Sequence, residues 1–167
     1  YEKYHEQLKE TEVIFESGRY LMAESGVYIV KVLYRKQSKQ STYYICDGGS
    51  NFHSATAFIG RFVRNNFPCY SIPRRGEATK VNIVGPLCTP TDVMGQNVEL
   101  SGDLVSGDYI VIDKSGAYGL SYSPTLFLSH ESPMEVLRIN NDEIVLRDRG
   151  KANDMWINQK GIKSVYI

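Results

Sequence analysis

The sequence lacks long hydrophobic runs and has no excess of charge of either sign. No apolar run approaches the roughly 20 residues of a membrane-spanning helix, and the opening YEKYHEQLKE is too polar for a signal peptide. Basic and acidic side chains are equal in number, 19 of each. Electrostatics therefore favour neither nucleic acid nor an anionic membrane as a partner. We expect a soluble, cytoplasmic protein that binds neither.

Cysteine is scarce and irregularly spaced. Cys46, Cys69 and Cys88 are an odd number, form no C-x-x-C pair and have no histidine at metal-ligand spacing. We therefore expect neither a disulfide framework nor a metal site. Low-complexity segments and internal repeats are also lacking, and 42% of the 167 residues are hydrophobic. The chain can thus bury the core of one domain, with or without a remnant of another.

Residues 1–25 differ from the rest of the chain in their pattern of residue types. Tyr4 and Leu8 lie at helical spacing on a charged background. The run EVIFESGR is β-branched and aromatic up to Gly18, and YLMAESG has helix formers with Gly26 where a helix would end. We predict a helix, a strand and a helix, which cannot form an α/β layer alone.

Residues 26–167 are typical of a β-domain. Short runs rich in Val, Ile and Tyr alternate with Gly, Asn, Asp and Pro. They are VYIVKVLYRK, STYYICDGG, TKVNIVGPLC, DYIVIDKSGAYG, MEVLRINNDEIVLRDRG with a hairpin turn at INND, and GIKSVYI. One helix is predicted over residues 54–67, with Ala57, Phe58, Phe62 and Val63 as its apolar stripe. This pattern favours a mainly β fold, an antiparallel, Greek-key-like barrel or sandwich.

Four glycine-rich corners carry polar groups at the ends of strand-like runs. They are FESGR, CDGGSNFH, GPLCTPTD and SGAYGLSYSP. Loops held by a rigid sheet commonly build binding sites, but glycines beside polar groups also make ordinary turns. From the residues alone, both interpretations stay open. The candidate groups are Glu16, Arg19, Asp47, His53, Cys88, Asp92, Tyr118 and Tyr122.

The order of these motifs resembles a known family. Glu-x-Gly-Arg, Asp-x-Gly-x-Asn, Gly-Pro-x-Cys-x-x-x-Asp, Gly-Ala-Tyr-Gly-x-Ser and SPMEVL follow one another between residues 13 and 137. They are similar to the C-terminal part of the fold-type III pyridoxal-phosphate-dependent decarboxylases, which include diaminopimelate, ornithine and arginine decarboxylases. Five motifs in the family's order are much more specific than any one of them.

The resemblance implies an architecture and a cofactor. Family members hold pyridoxal 5'-phosphate in a (β/α)8 barrel, close the site with a C-terminal β-domain, and form it between the protomers of a homodimer. Residues 1–25 would then be a remnant of the barrel's end, with its eighth strand ending at Glu16, and residues 26–167 the β-domain. The Schiff-base lysine and the phosphate loop belong to the earlier barrel. We therefore expect this chain alone to be inactive.

The first motif and the Gly-Ala-Tyr-Gly motif imply cofactor contacts. By resemblance, Glu16 bonds the pyridine nitrogen and keeps the ring an effective electron sink. Gly18 approaches the cofactor phosphate through its backbone, and Arg19 lies near that phosphate or a substrate carboxylate. Tyr118 donates its hydroxyl to the phosphate. Ser17 replaces the family's proline and removes no chemical group.

The resemblance implies a catalytic role for Cys88. The family's cysteine enters the neighbouring protomer's site, where it protonates the substrate Cα or holds the substrate. Gly85-Pro86 and Pro90 stiffen its loop. Thr89 stands where many members have an acidic residue that binds a distal amine. Asp92 closes the motif, as a structural residue or a substrate contact.

Departures from the family pattern concern the substrate. Diaminopimelate decarboxylases grip a distal carboxylate with an arginine and a tyrosine, whose places fall near Ala55 and Ile59. Arg61 and Arg64 either compensate or form a solvated face. His53 is a candidate substrate contact or an ordinary loop residue. The tentative substrate set is Arg19, His53, Thr89 and Asp92.

The motifs are similar to the family branch found in secondary-metabolite, siderophore and exopolysaccharide gene clusters. Members of that branch can act on unusual amino acids, including amino acids tethered to a carrier protein. Two alternatives to the decarboxylase interpretation remain. A stand-alone β-barrel interaction module would leave residues 1–25 unexplained, and an alanine-racemase-like fragment would lack the Gly-Pro-x-Cys and Glu-x-Gly-Arg motifs.

Overall fold

The structure, a computed structural model, describes residues 2–57 and 65–161. Most of the regular secondary structure is strand, and the helices are short 3-10 turns. The strands are β1 (Tyr28–Ser38), β2 (Ser41–Cys46), β3 (Cys69–Ile72), β4 (Ala78–Val84), β5 (Val93–Ser101), β6 (Tyr109–Ile112), β7 (Glu135–Ile139) and β8 (Asp142–Arg147). The 3-10 helices are Glu2–Leu8, Ala23–Ser25, Leu120–Tyr122, Phe127–Ser129 and Ala152–Trp156. No helix among the described residues is long and apolar enough to cross a bilayer.

Six strands form one sheet that nearly closes into a barrel. Their order is β3-β6-β1-β2-β4-β5, and β7 and β8 form a separate hairpin. The two edge strands meet where Ser71 Oγ on β3 donates a hydrogen bond of 3.0 Å to Ser101 Oγ on β5. The mainly β, barrel-like prediction is therefore confirmed.

One strand pair departs from the antiparallel expectation. β2 and β4 pair in parallel, whereas the other neighbours in the sheet are antiparallel. Parallel neighbours cannot be joined by a tight hairpin and need a long crossover. Here the crossover is residues 47–77, and it includes β3. The CDGGSNFH corner begins at the last residue of β2 and continues into this crossover.

The core lies inside the barrel and follows the two-residue period of the strands. Val30 and Val32 of β1 and Ile110 and Ile112 of β6 are almost fully buried. Tyr44 is also buried, and its hydroxyl donates to the Ser101 carbonyl at 2.8 Å and accepts the Leu104 N–H at 3.2 Å. Because this hydroxyl makes two hydrogen bonds, it can be buried at little cost in free energy.

Two strands went unpredicted. β3 has four residues and lies between Pro68 and Pro73, so it offers no long β-branched run. β5 contains Gly95, and Asn97 has a φ of 52°, close to a shift in the register with β4. Such irregular strands have weak intrinsic signals, and pairing with neighbours stabilises them.

The predicted strand before Gly18 does not form in this chain. Residues 11–17 have no assigned secondary structure, and Ile14 and Phe15 are 78% and 84% exposed. A strand needs a partner for its backbone groups, and these residues have none in the described sheets. The predicted first helix is a 3-10 helix, Glu2–Leu8, and the second is the short Ala23–Ser25, capped at Gly26 as predicted. The division near residue 25 stays a prediction.

Other predictions fall at the edges of the described chain. The predicted helix over residues 54–67 begins as turns at residues 54–57. Residues 65–67, at its other end, have no assigned secondary structure. The remaining half of its length lies outside the described residues, with Phe58, Ile59, Arg61, Phe62, Val63 and Arg64, and so does most of the final GIKSVYI run. The predicted β7–β8 hairpin is confirmed, with Ile139 opposite Asp142 across the turn.

Candidate functional site

Two motifs that are about 100 residues apart in the sequence meet at Arg19 and Tyr118. Arg19 Nη1 donates a hydrogen bond of 3.0 Å to the Ala117 carbonyl, and the Arg19 Cζ lies 5.1 Å from the centroid of the Tyr118 ring. A Cβ placed on Gly18 would lie 3.6 Å from the Tyr118 hydroxyl. The structure thus brings together Gly18, Arg19 and Tyr118, three of the four predicted cofactor contacts.

Close backbone packing holds these two segments together. Ser115 N–H donates to the Gly26 carbonyl at 2.8 Å, and Gly116 N–H donates to the Ala23 carbonyl at 3.0 Å. A Cβ on Gly116 would lie 2.0 Å from the Met22 carbonyl oxygen, so only glycine allows this approach. The SGAYG corner is therefore docked on the turn that follows Arg19.

Glu16, the fourth predicted cofactor contact, is exposed. It lies three residues before Arg19, in the stretch without assigned secondary structure. Exposure leaves its carboxylate open to a partner from outside the described chain. Its predicted bond to a pyridine nitrogen stays a prediction.

The loop that carries Cys88 connects β4 to β5 and is closed by Asp92. Gly85 N–H donates to the Asp92 carbonyl at 3.1 Å. The buried Asp92 carboxylate accepts the Leu87 N–H at 2.9 Å and the Ser50 N–H at 2.7 Å. Because both carboxylate oxygens are engaged by backbone groups, the geometry favours the structural role for Asp92. Its contact with a substrate stays a prediction.

Cys88 lies on the outer side of this closed loop. Leu87 is buried and anchors the loop, whereas Cys88 is exposed. The Thr89 hydroxyl lies 2.9 Å from the Thr91 hydroxyl, within the same loop. Burial raises the pKa of Cys69 to about 11 and that of Cys46 further. Of the three thiols, Cys88 is the one placed for contact with a substrate.

The buried crossover segment, residues 48–57, contacts both the Cys88 loop and the segment that follows Tyr118. At one end, Ser50 N–H reaches Asp92 at 2.7 Å. At the other end, Ser54 N–H donates to Ser123 Oγ at 2.9 Å, and its hydroxyl donates to the Tyr122 carbonyl at 2.7 Å. All ten residues of the segment are buried. The two parts of the candidate site are thus parts of one packed surface.

His53 lies inside this packing. It is 2% exposed, and its ring centroid lies 5.6 Å from that of Tyr28 and 5.5 Å from that of Phe67. Phe67 in turn lies under Arg19, with 5.4 Å between the Arg19 Cζ and the ring centroid. Tyr28 and Phe67 were not predicted as site residues because no sequence motif marks them. Contact across the fold alone identifies them.

The donors in this site suit an anion. Arg19 offers a guanidinium, Tyr118 a hydroxyl and Gly18 an exposed backbone, and such donors bind phosphate or carboxylate oxygens well. The stretches 2–57 and 65–161 contain no group of three or more His, Cys, Asp or Glu residues that could hold a metal ion. The site therefore fits an anionic cofactor or substrate.

Comparison with known proteins identifies the family. Residues 19–116 match the family described as "Pyridoxal-dependent decarboxylase, C-terminal sheet domain". Over 90% of its length the chain is 45% identical to the L-glutamyl-[BtrI acyl-carrier protein] decarboxylase of Niallia circulans, of which it covers 36%. It is 30% identical over 90% of its length to the diaminopimelate decarboxylase of Vibrio cholerae, of which it covers 35%.

A solved structure supports the same family. The crystal structure of diaminopimelate decarboxylase from Helicobacter pylori complexed with L-lysine matches 85% of this chain with a TM-score of 0.73 and 30% identity. This chain covers 34% of that one, so it spans about a third of the length of its relatives. The chain belongs to the pyridoxal-dependent decarboxylase family and corresponds to its C-terminal sheet domain.

Proposed function

We propose that this chain is the C-terminal part of a pyridoxal-phosphate-dependent amino-acid decarboxylase whose active site is shared across a homodimer. The observation that carries the proposal is the meeting of Gly18 and Arg19 with Tyr118, because it assembles an anion site from two family motifs. The chain spans about a third of its relatives. The activity therefore belongs to a larger protein, and a cytoplasmic location stays a prediction.

The residues of this chain divide the work of holding the cofactor. Pyridoxal phosphate, when bound, supplies the electron-withdrawing ring that a decarboxylation needs. Arg19, Tyr118 and the Gly18 backbone hold an anionic group, which is the cofactor phosphate or, for Arg19, a substrate carboxylate. With the cofactor bound, Glu16 would accept a hydrogen bond from the ring nitrogen and would favour its protonated form.

Cys88 serves the partner protomer's site. Its thiol holds a proton at Sγ and delivers it to the substrate Cα after carbon dioxide leaves. Proton delivery needs a fixed donor, and the Asp92 clamp on the loop provides this rigidity. Because Cys88 is exposed in the single chain, it is free to enter another protomer.

The proposed substrate is an amino acid tethered to a carrier protein. Ala55 is buried and uncharged at the place where the resemblance puts the arginine that grips a distal carboxylate. A substrate whose distal carboxylate is bound in a thioester carries no charge there and needs no arginine. The Niallia circulans relative supports this class, because it is a decarboxylase of a glutamyl group on an acyl-carrier protein.

The first test measures carbon dioxide release by the full-length protein and its cysteine variants. Cys88→Ala should slow turnover by about 100-fold or more, as expected for the loss of a general acid. Cys69→Ala is the matched control, because it removes a thiol that is half-buried in the barrel. Normal turnover by Cys88→Ala would refute the catalytic assignment.

A second test addresses the shared site. Cys88→Ala and Glu16→Ala subunits should each have at most about a hundredth of wild-type activity as homodimers. If each site uses Glu16 from one protomer and Cys88 from the other, mixed dimers contain one intact site, and an equal mixture regains about a quarter of wild-type activity. If the two kinds of subunit exchange between dimers and the mixture regains no activity, the site is not shared.

A third test compares substrates. Glutamyl-carrier protein should be decarboxylated with a higher kcat/KM than free glutamate or meso-diaminopimelate. Preference for meso-diaminopimelate would refute the tethered substrate and leave the decarboxylase assignment standing. Failure of the full-length protein to bind pyridoxal phosphate, read from its visible absorbance, would refute the decarboxylase assignment itself.

A further inference from the structure

An aromatic platform supports Arg19 from below. It consists of Phe67 in contact with Arg19, His53 in contact with Phe67, and Tyr28 in contact with His53. The ring centroids are 5.5 Å and 5.6 Å apart along this row, within the range of favourable aromatic pairs. Phe67 and His53 are both buried. The row therefore runs from the start of β1 to the candidate anion site.

The Arg19 guanidinium lies close to two rings at once. Its Cζ is 5.4 Å from the centroid of Phe67 and 5.1 Å from that of Tyr118. A guanidinium attracts aromatic faces and stacks on them, whereas an aliphatic side chain offers no such interaction. One N–H group donates to the Ala117 carbonyl. These contacts restrain the position of the guanidinium, which carries the charge that an anion would meet.

We propose that Phe67 is a positioning residue that orients the Arg19 guanidinium for its anion, and that His53 holds Phe67 in place. This inference rests on the proposed function, since it takes Arg19 as a group that binds the cofactor phosphate or a substrate carboxylate. It gives the buried His53 a role through packing in place of a direct substrate contact. On this proposal Phe67 acts on the ligand through Arg19.

The first experiment changes the platform in the full-length protein. Phe67→Leu removes the aromatic face at similar size, and we expect it to weaken anion binding by about five- to thirty-fold, the range of a partly buried cation–π contact. Phe67→Tyr keeps the face and should restore most of the affinity. Phe127→Leu, the same change at a half-exposed position on a 3-10 helix, is the matched control.

Two ligands identify the anion. If Arg19 binds the cofactor phosphate, Phe67→Leu weakens the binding of pyridoxal phosphate and leaves the binding of pyridoxal, which has no phosphate, unchanged. If Arg19 binds the substrate carboxylate, the variant raises the substrate KM and leaves cofactor affinity unchanged. Either result supports the platform. Unchanged affinity and KM in a folded Phe67→Leu variant would overturn it.

A readout independent of activity separates this inference from the proposed function. The rings should shift the NMR signal of the Arg19 Nε–H group, and Phe67→Leu should move that signal while Phe67→Tyr should not. An unmoved signal in Phe67→Leu would overturn the inference even in an active enzyme. A wild-type protein that shows the shift and binds no pyridoxal phosphate would instead refute the proposed function.

A double-mutant cycle distinguishes an effect of Phe67 through Arg19 from a general loss of stability. Arg19→Lys keeps the charge and removes the flat guanidinium that stacks on a ring. If Phe67 acts through Arg19, Phe67→Leu should cost much less affinity in the Arg19→Lys background than in the wild type. Equal costs in the two backgrounds would overturn the proposal.

Discussion

At the scale of single residues, a buried carboxylate does more for the site than its sequence motif implies. Asp92 accepts hydrogen bonds from Ser50 on the crossover segment and from Leu87 beside Cys88. Gly49 and Gly85 leave room for it, since a Cβ on either would lie within 2.4 Å of a carboxylate oxygen. Two motifs that are far apart in the sequence are thus held together by one side chain.

Asp92→Asn should destabilise the fold. One of the two backbone N–H donors would face an amide NH2 group in place of an oxygen, and the loss of a buried hydrogen bond to a charged group costs about 1–3 kcal/mol. Urea denaturation measures the change in the free energy of unfolding. Asp148→Asn, at an exposed position, is the control and should have little effect. Equal stability of Asp92→Asn and wild type would show that the carboxylate is not a clamp.

The three thiols should differ in reactivity. At pH 8 iodoacetamide should label the exposed Cys88 first, whereas Cys69, whose burial raises its pKa to about 11, is about one part in a thousand thiolate. Labelling of Cys69 should accelerate about tenfold per pH unit from pH 8 to pH 10, because the thiolate is the nucleophile. Peptide mass spectrometry follows each site. Labelling of Cys69 as fast as Cys88 at pH 8 would contradict the burial.

At the scale of elements, regular strands were predictable and irregular ones were not. β1, β2 and the β7–β8 hairpin follow from β-branched and aromatic runs bounded by turn residues. β3 and β5 depend on pairing within the sheet, because their own sequences are short or interrupted. The run before Gly18 shows the converse, since a strand-forming sequence without a partner forms no strand.

The turn of the β7–β8 hairpin offers a test at this scale. Asn140 has a φ of 56°, a conformation that asparagine tolerates and a β-branched residue does not. Asn140→Val should therefore cost about 1–2 kcal/mol of local stability. Hydrogen exchange of the hairpin amides measures this loss. Asn141→Val, in the same turn but without a positive φ, is the control and should exchange more slowly than Asn140→Val.

At the scale of the whole molecule, apolar surface is exposed at the N-terminal segment and on the hairpin. Ile14, Phe15 and Tyr20 are more than three-quarters exposed, and both faces of β7 and β8 are open in this chain. Large exposed apolar areas commonly mark contact surfaces. The proposed function assigns the N-terminal segment to the end of a barrel that other parts of the protein complete.

Hydrogen exchange tests this assignment. Amides of residues 12–16 should exchange rapidly in the 167-residue chain and at least 100-fold more slowly in the full-length protein, where a strand would be paired. The turn at residues 39–40 should exchange rapidly in both and is the control. Equally rapid exchange of residues 12–16 in both proteins would contradict their assignment to a barrel strand.

The fold class, the family motifs and most of the candidate groups were predictable from the residues alone, because alternating apolar residues and turn residues act locally. Which of these groups meet follows from the tertiary structure. It placed Arg19 against Tyr118 and Phe67, enclosed His53, and closed the Cys88 loop with Asp92. The contacts of Phe67 and His53 also depend on the crossover between the parallel strands β2 and β4, because both residues lie in it. Long-range packing of this kind cannot be predicted from a local stretch of sequence, because it depends on residues that are far apart in the chain.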